Sequence, residues 1–286
     1  MNQILKGDCL EVMQTIPDGA IGMVLADLPY GVTACHWDKV IDLDALWVQF
    51  KRLIQSRRAL VFTATQPFTT DLICSNREWF KYCWVWEKNL VTGTISANVR
   101  PLSNHEDVAV FGEGKILYQP QKEKYSEADI GRMRKKDYLV TSGSAYGGMK
   151  RISEARSKVI ASGGMKHPKS VLKIKCVHAC DKNKTGHPSE KPVALFEYLI
   201  RTYTNPGDVV LDPTAGSMTT AIAALNTGRG YICIEKDPDE YRKGLARVEE
   251  HLAKPQQINL LEPTPVLPAA ATVQQTTIFD AIGGTA

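Results

Sequence analysis

Over the first 111 residues, short apolar runs alternate with stretches of helical spacing, which predicts successive βαβ units and a largely parallel sheet. Met23 to Ala26 is uniformly apolar and reads as a buried strand, Leu43 to Gln55 has the apolar spacing of a helix, and Ala59 to Thr63 returns to strand. A second helix is expected to begin at Pro67, whose ring is tolerated in a first turn, and Tyr82 to Trp86 and Val108 to Phe111 are further strands. The period is then lost. From Gly112 to Gly186 the chain is rich in Lys, Gly and Ser, punctuated by Gly143, Gly147, Gly148, Gly163 and Gly164, and reads as an inserted module or long loops. Regularity returns with a helix from Pro192 to Tyr203, a strand at Val209 to Leu211, a helix after Ser217, a strand at Tyr231 to Ile234 and a last helix from Pro238 to Leu252. Beyond Lys254 the sequence turns to Pro, Ala, Thr and Gln, too poor in large apolar side chains to pack, so a flexible tail is expected over 253–286.

With 286 residues, 43% of them hydrophobic, the chain can bury one full α/β core and still carry a further module. Its seven cysteines are odd in number and lack the spacing of a disulfide framework, which points to a reducing cytoplasm. No leader-like start and no apolar stretch of bilayer length is seen, so neither secretion nor a membrane partner is expected. Cys176, His178, Cys180 and His187 fit no common zinc spacing, and no metal is expected; His187 reads as a turn residue. Charge changes the picture more. Residues 112–186 hold 17 Lys and Arg against 7 Asp and Glu, an excess of +10, and the remainder holds 18 against 24, or −6. A basic segment in an otherwise acidic chain points to a polyanion, with Arg132, Arg134, Lys135 and Lys136 as the densest cluster.

Two segments carry candidate chemistry. Val209 to Asp212 followed by Pro213-Thr214-Ala215-Gly216-Ser217-Met218-Thr219-Thr220 is a strand, a glycine-containing turn and a hydroxyl-rich helix start, and the next strand ends in Glu235. An acid about 20 residues after such a loop is placed to bond both hydroxyls of a ribose. The G-x-G-x-x-G spacing of a dinucleotide site is absent, which disfavours a nicotinamide oxidoreductase. Asp27-Leu28-Pro29-Tyr30-Gly31 follows the strand Met23 to Ala26, at the strand end where ligands of open α/β sheets gather, and offers acceptors for an amino group beside a flat aromatic face.

Asp27-Leu28-Pro29-Tyr30 is similar to the D-P-P-Y motif of the S-adenosylmethionine-dependent amino-methyltransferases of DNA, and Asp212 to Thr220 resembles their D-P-F-x-G-S-G-T-T cofactor motif. His187-Pro188-Ser189-Glu190-Lys191-Pro192 resembles their H-P-T-x-K-P element, and Lys6-Gly7-Asp8-Cys9-Leu10 their G-D-x-L element. Catalytic motif first, cofactor motif last and a variable region between is the β-type order of that family, and the resemblance covers roughly residues 3–250. Two positions depart from it: Leu28 stands for the first proline, and Met218 for a glycine of the cofactor loop.

The resemblance implies a Rossmann-like, mostly parallel α/β sheet with helices on both faces, a circularly permuted motif order and an inserted basic recognition region. It divides the chain into a catalytic half (1–111), a target-recognition region (112–186), a cofactor-binding half (187–252) and the tail. The implied reaction moves a methyl group from S-adenosylmethionine to adenine N6 of a base flipped out of double-stranded DNA. Asp27 and the Leu28 carbonyl would accept the amino hydrogens, Pro29 fix the turn and Tyr30 stack on the base. Glu235 would hold the ribose, Gly216 permit close backbone approach, Asp212, Ser217, Thr219 and Lys191 serve the methionine portion, and Asp8 meet the adenine. Cytosine N4 is the nearest alternative, since the family more often has serine at the position of Asp27 when it acts there. A cofactor-binding DNA-binding protein without catalysis is the alternative of another class. A bacterial, prophage or phage source and a homodimer are further expectations, and Gln275, Ile278 and Phe279 in the tail resemble the short peptide that docks on the bacterial sliding clamp.

Overall fold

A computed structural model describes residues 1–31, 39–135, 164–177 and 190–253, with backbone only for 132–135. They fall in the compact unit Met1–His251 and the helical turn that follows it. In chain order the elements are β1 (Asn2–Lys6), α1 (Cys9–Met13), β2 (Ile21–Asp27), α2 (Leu43–Leu53), β3 (Ile54–Ala64), α3 (Phe68–Ser75), β4 (Phe80–Thr92) and β5 (Ser103–Phe111). Then come β6 (Glu123–Lys124), α4 (Glu127–Lys135), β7 (Met165–Lys166), β8 (Val171–Lys173), α5 (Val193–Tyr203), β9 (Val209–Asp212), α6 (Thr219–Asn226), β10 (Gly230–Glu235) and α7 (Pro238–Ala253).

Eight strands form one sheet in the order β1-β10-β9-β2-β3-β5-β4-β8, and β5 alone among them runs against its neighbours. The central strand β2 is buried along its whole length until Asp27, because both faces of the sheet are covered. Its side chains alternate between two cores. Met23 and Leu25 join Leu195, Leu199, Tyr203 and Ala221 of α5 and α6, while Val24 and Ala26 join Leu46, Phe50, Phe68 and Leu72 of α2 and α3. The expected Rossmann-like, mostly parallel sheet with helices on both faces is what the chain forms.

The permuted order has a simple spatial consequence. β2, from the first half of the chain, pairs in parallel with β9, from the second, through Met23 opposite Val210 and Val24 opposite Leu211. The strand order reverses at this junction, where crevices open at the carboxyl ends of α/β sheets. Three features go beyond the sequence pattern. Asn2–Lys6 forms an edge strand against β10, so the chain start completes the cofactor-motif half. β4 and β5 extend well past their apolar centres, because cross-strand pairing carries polar residues such as Ser103 and His105 into the ladder. Val171–Lys173, inside the region expected to be inserted, pairs with β4 and buries Leu172. The tail residues Gln275, Ile278 and Phe279, and also His178, Cys180, His187 and Lys136, lie outside the described residues.

Candidate active site

The β2–β9 junction brings the two sequence constellations to one edge of the sheet. Asp27 ends β2 and Asp212 ends β9, and the Thr214 hydroxyl in the loop after β9 donates to the Asp27 backbone carbonyl at 3.1 Å. A direct hydrogen bond thus ties the D-L-P-Y turn to the glycine loop.

The Asp27 carboxylate is densely engaged. Its Oδ1 accepts from the Tyr30 hydroxyl and from Thr63 Oγ1 at 2.6 Å, and its Oδ2 accepts from Lys191 Nζ at 2.7 Å. Thr63 is there because β2 and β3 pair in register, Asp27 opposite Thr63. Lys191 precedes α5 and reaches across to Glu106 of β5 as well, at 3.4 Å, while Glu106 also pairs with Lys88 at 3.0 Å. Its side chain is 8% exposed. Burial works against the Lys191 charge, but Asp27 and Glu106 outweigh it and hold its pKa above the usual lysine value. Tyr30 packs on Phe68, ring centroids 5.2 Å apart, and its phenol is pushed well up by burial and by the charges of Asp27 and Glu106. A carboxylate has about four lone-pair sites, and three are filled here, so Oδ2 keeps one for an incoming N–H donor.

The glycine loop is built from the same logic. Asp212 is buried and accepts from the Thr220 hydroxyl and from the Thr214 N–H at 3.1 Å. Burial raises its pKa to about 7, against the lowering effect of those two bonds and with the charges of Asp27 and Glu235 adding to the rise. Gly216 has φ 44°, and its N–H donates to Glu235 Oε2 at 2.8 Å. The other oxygen of Glu235 accepts from the Asp237 N–H at 2.8 Å, so each oxygen retains a lone pair. Two such acceptors on one strand-end carboxylate, beside a left-handed glycine, fit the paired hydroxyls of a ribose. Ser217 Oγ and Thr219 Oγ1 lie 3.1 Å apart, and Arg247 of α7 donates to the Ser217 carbonyl at 2.6 Å and pairs with Glu190 at 2.6 Å.

Asp8 lies at the same edge but is occupied otherwise: it caps α1 through the Leu10 N–H at 3.0 Å and pairs with Lys236 at 2.9 Å. Leu28 is buried, and Pro29 sits between it and Tyr30 in the turn. Lys191, expected beside the methionine portion of a cofactor, contacts Asp27 and Glu106. Arg132, Arg134 and Lys135 belong to α4, and their side chains lie outside what is described. Sequence reasoning missed Thr63, Glu106, Thr214, Glu190 and Arg247. Thr63, Glu106 and Arg247 come from elements whose pattern reports only burial, Thr214 and Glu190 stand inside quoted motifs without a role assigned to them, and the contacts of all five span long sequence distances that no motif spacing encodes.

The DNA methylase family model matches residues 21–246, more than half of the chain. The chain is 26% identical over 260 residues to the DNA adenine methyltransferase YhdJ of Escherichia coli (strain K12), covering 86% of this chain and 82% of that one. It is 25% identical to the type II methyltransferase M.HinfI of Haemophilus influenzae, covering 91% of this chain and 72% of the relative. Among solved structures, the M1.HpyAVI–SAM complex shares the fold with a TM-score of 0.58 at 22% identity, over 87% of this chain and 99% of that one. With the glycine loop bonded to a strand-end D-L-P-Y turn and the family model running across both, the chain belongs to the DNA methylase family.

Proposed function

We propose that the protein transfers the methyl group of S-adenosylmethionine to adenine N6 of a base extruded from double-stranded DNA. The observation that carries this reading is the Thr214 bond to the Asp27 carbonyl, which sets an amino-group acceptor beside a loop suited to an adenosine cofactor. The relative named a DNA adenine methyltransferase and the SAM-bound fold neighbour support it.

Bound S-adenosylmethionine would supply an electrophilic methyl group. The chain supplies orientation. The adenine amino nitrogen is a weak nucleophile because its lone pair is delocalised into the ring. Asp27 Oδ2 and the Leu28 carbonyl accept its two hydrogens and turn that lone pair out of conjugation, with the Tyr30 ring against the base. Asp27 need not act as a strong base, since the amino proton becomes acidic only as the new N–C bond forms, and Oδ2 would then accept it. Positioning and fixed electrostatics carry most of the acceleration. Thr63 and Lys191 hold the carboxylate so that one lone pair stays directed outward. Glu235 holds the ribose, Gly216 allows close approach, and Asp212, Ser217 and Thr219 shape the methionine side; Asp8 closes the adenine side.

Residues 112–186 serve as the target-recognition region, with Arg132, Arg134, Lys135 and Lys136 on phosphates. The same reading takes the protein as cytoplasmic, from a bacterium or its phage. It includes a homodimer and docking on the sliding clamp through Gln275, Ile278 and Phe279, both supported by sequence pattern alone.

Asp27→Ala is expected to abolish methyl incorporation into DNA while cofactor affinity stays within a small factor. Tritiated methyl transfer measured beside a cofactor titration checks this, and substantial residual turnover would remove Asp27 from its role.

A further inference from the structure

The strands that carry Glu106 run on past the active-site edge. Across the sheet Asp27 is level with Thr63, Val108 and Trp84; from there the β4–β5 ladder runs on to Glu87 opposite His105 and, after a register shift, closes again at Thr92 opposite Ser103. Since β4 runs in the direction of β2 and β3, this two-stranded ribbon projects from the edge that holds Asp27. Its foot is fixed. Lys88 pairs with Glu106, the Trp86 indole donates to the Ile174 carbonyl at 2.8 Å, and the Cys176 N–H donates to Asn89 at 2.8 Å. At its end Gly93, with φ 88°, starts a 3₁₀ turn over Thr94–Ser96. That turn holds Ile95 at 102% exposure, and Val99 in the turn residues that follow it is 88% exposed, flanked by the exposed Val91 and Leu102. From Lys88 to His105 the ribbon carries Lys88 and Arg100 and no Asp or Glu.

Ile95 and Val99 thus stand in water at the tip of an anchored ribbon whose outer part, residues 88–105, has no Asp or Glu, although Glu87 and Glu106 flank it, and two bulky aliphatic side chains so placed suit a partner of definite shape. Its place beside the Asp27 edge and the absence of Asp and Glu from residues 88–105 fit a polyanion, and a two-stranded ribbon enters the major groove of DNA, about 12 Å wide. Extruding a base leaves an unstacked gap, and apolar side chains that enter between base steps offset that cost. We propose that the β4–β5 ribbon is a DNA wedge, with Ile95 and Val99 entering the duplex beside the extruded base and Arg100 facing phosphate. The proposal rests on the DNA methyl-transfer reading above and adds the residues that would keep the base extruded.

The test uses the full chain with Ile95→Ser and Val99→Ser together, on a duplex carrying the site mapped by methylated-base sequencing in cells expressing the wild type. A second duplex has an abasic position opposite the target, so that extrusion no longer breaks a base pair. The variant should lose about tenfold or more of kcat/KM on the paired duplex and stay within about twofold on the abasic one. Its cofactor affinity and Tm should match the wild type. Unchanged turnover on the paired duplex, an equal loss on both duplexes, or a loss that follows a fall in sedimenting mass would each overturn the wedge. A wild-type chain that methylates neither duplex would take down the methyl-transfer reading, and the wedge with it.

Discussion

Asp212 illustrates how burial and hydrogen bonding compete at a single side chain. Two donors, Thr220 and the Thr214 N–H, favour the carboxylate, yet burial dominates and lifts the pKa from 3.8 to about 7. A carboxyl whose pKa is raised on folding stabilises the fold fully below its unfolded value, and that contribution is lost as pH rises through its folded value. Wild type should therefore lose Tm relative to Asp212→Asn between about pH 4 and about pH 7, the window set by those two values. A Tm difference that stays flat across that range would show that Asp212 is ionised in the fold at low pH. The residue was legible in the sequence as the end of a strand before a glycine loop. Its titration was not, because it depends first on burial, which packing sets, and then on the charges of Asp27 and Glu235 brought in from other segments. Lys191 shows the same boundary: its motif was visible, but its partners Asp27 and Glu106 are set by the sheet.

Between elements, the contact of the α6 start with α7 explains a departure from the family pattern. Met218 occupies the left-handed region at φ 59°, a conformation that costs an L-residue roughly 1–2 kcal/mol and suits the glycine usual there. Its side chain is nonetheless fully buried, against Gly244 of α7, where an added Cβ would meet Met218 Cγ at 2.4 Å. The missing side chain of one helix makes room for the extra side chain of the other. Gly244→Ala should destabilise the wild type by about 1–3 kcal/mol through overpacking. On a Met218→Gly background the same change should cost much less, because alanine is the better helix former by about 1 kcal/mol and only the 3.2 Å approach to the Gly216 carbonyl remains. A double-mutant cycle in urea reads the coupling, and additive costs would separate the two positions. Elements with one clear period, such as β2 and α5, were legible within a residue or two. Strands without such a pattern were not: Asn2–Lys6 at the sheet edge and the polar half of β5, which lies between β3 and β4, are strands because a neighbour's backbone offers pairing, and no apolar alternation announces them.

At the scale of the whole molecule, charge is segregated: +10 over residues 112–186 and −6 over the rest. The acidic remainder includes the site itself, where Asp27, Glu106, Asp212 and Glu235 lie at or near one edge of the sheet. Lys191 and Lys88 at that edge are committed to Asp27 and Glu106, so the cations that draw in a polyanion are expected to be placed elsewhere. The cluster of Arg132, Arg134, Lys135 and Lys136 is the densest run available, on and just after α4. Each phosphate that such a residue neutralises releases condensed counterions and contributes about 0.9 to the slope of log K against log salt. Replacing all four by Gln should weaken binding to duplex DNA at low salt and flatten that slope by up to about 3 to 4. Because phosphate contacts carry no sequence information, the same variant should keep its preference for the methylated site over unrelated duplex. Fluorescence anisotropy over a salt series measures both quantities. A wild-type slope in the variant would assign the cluster to solvent, and a lost site preference with an unchanged slope would place these residues on base edges.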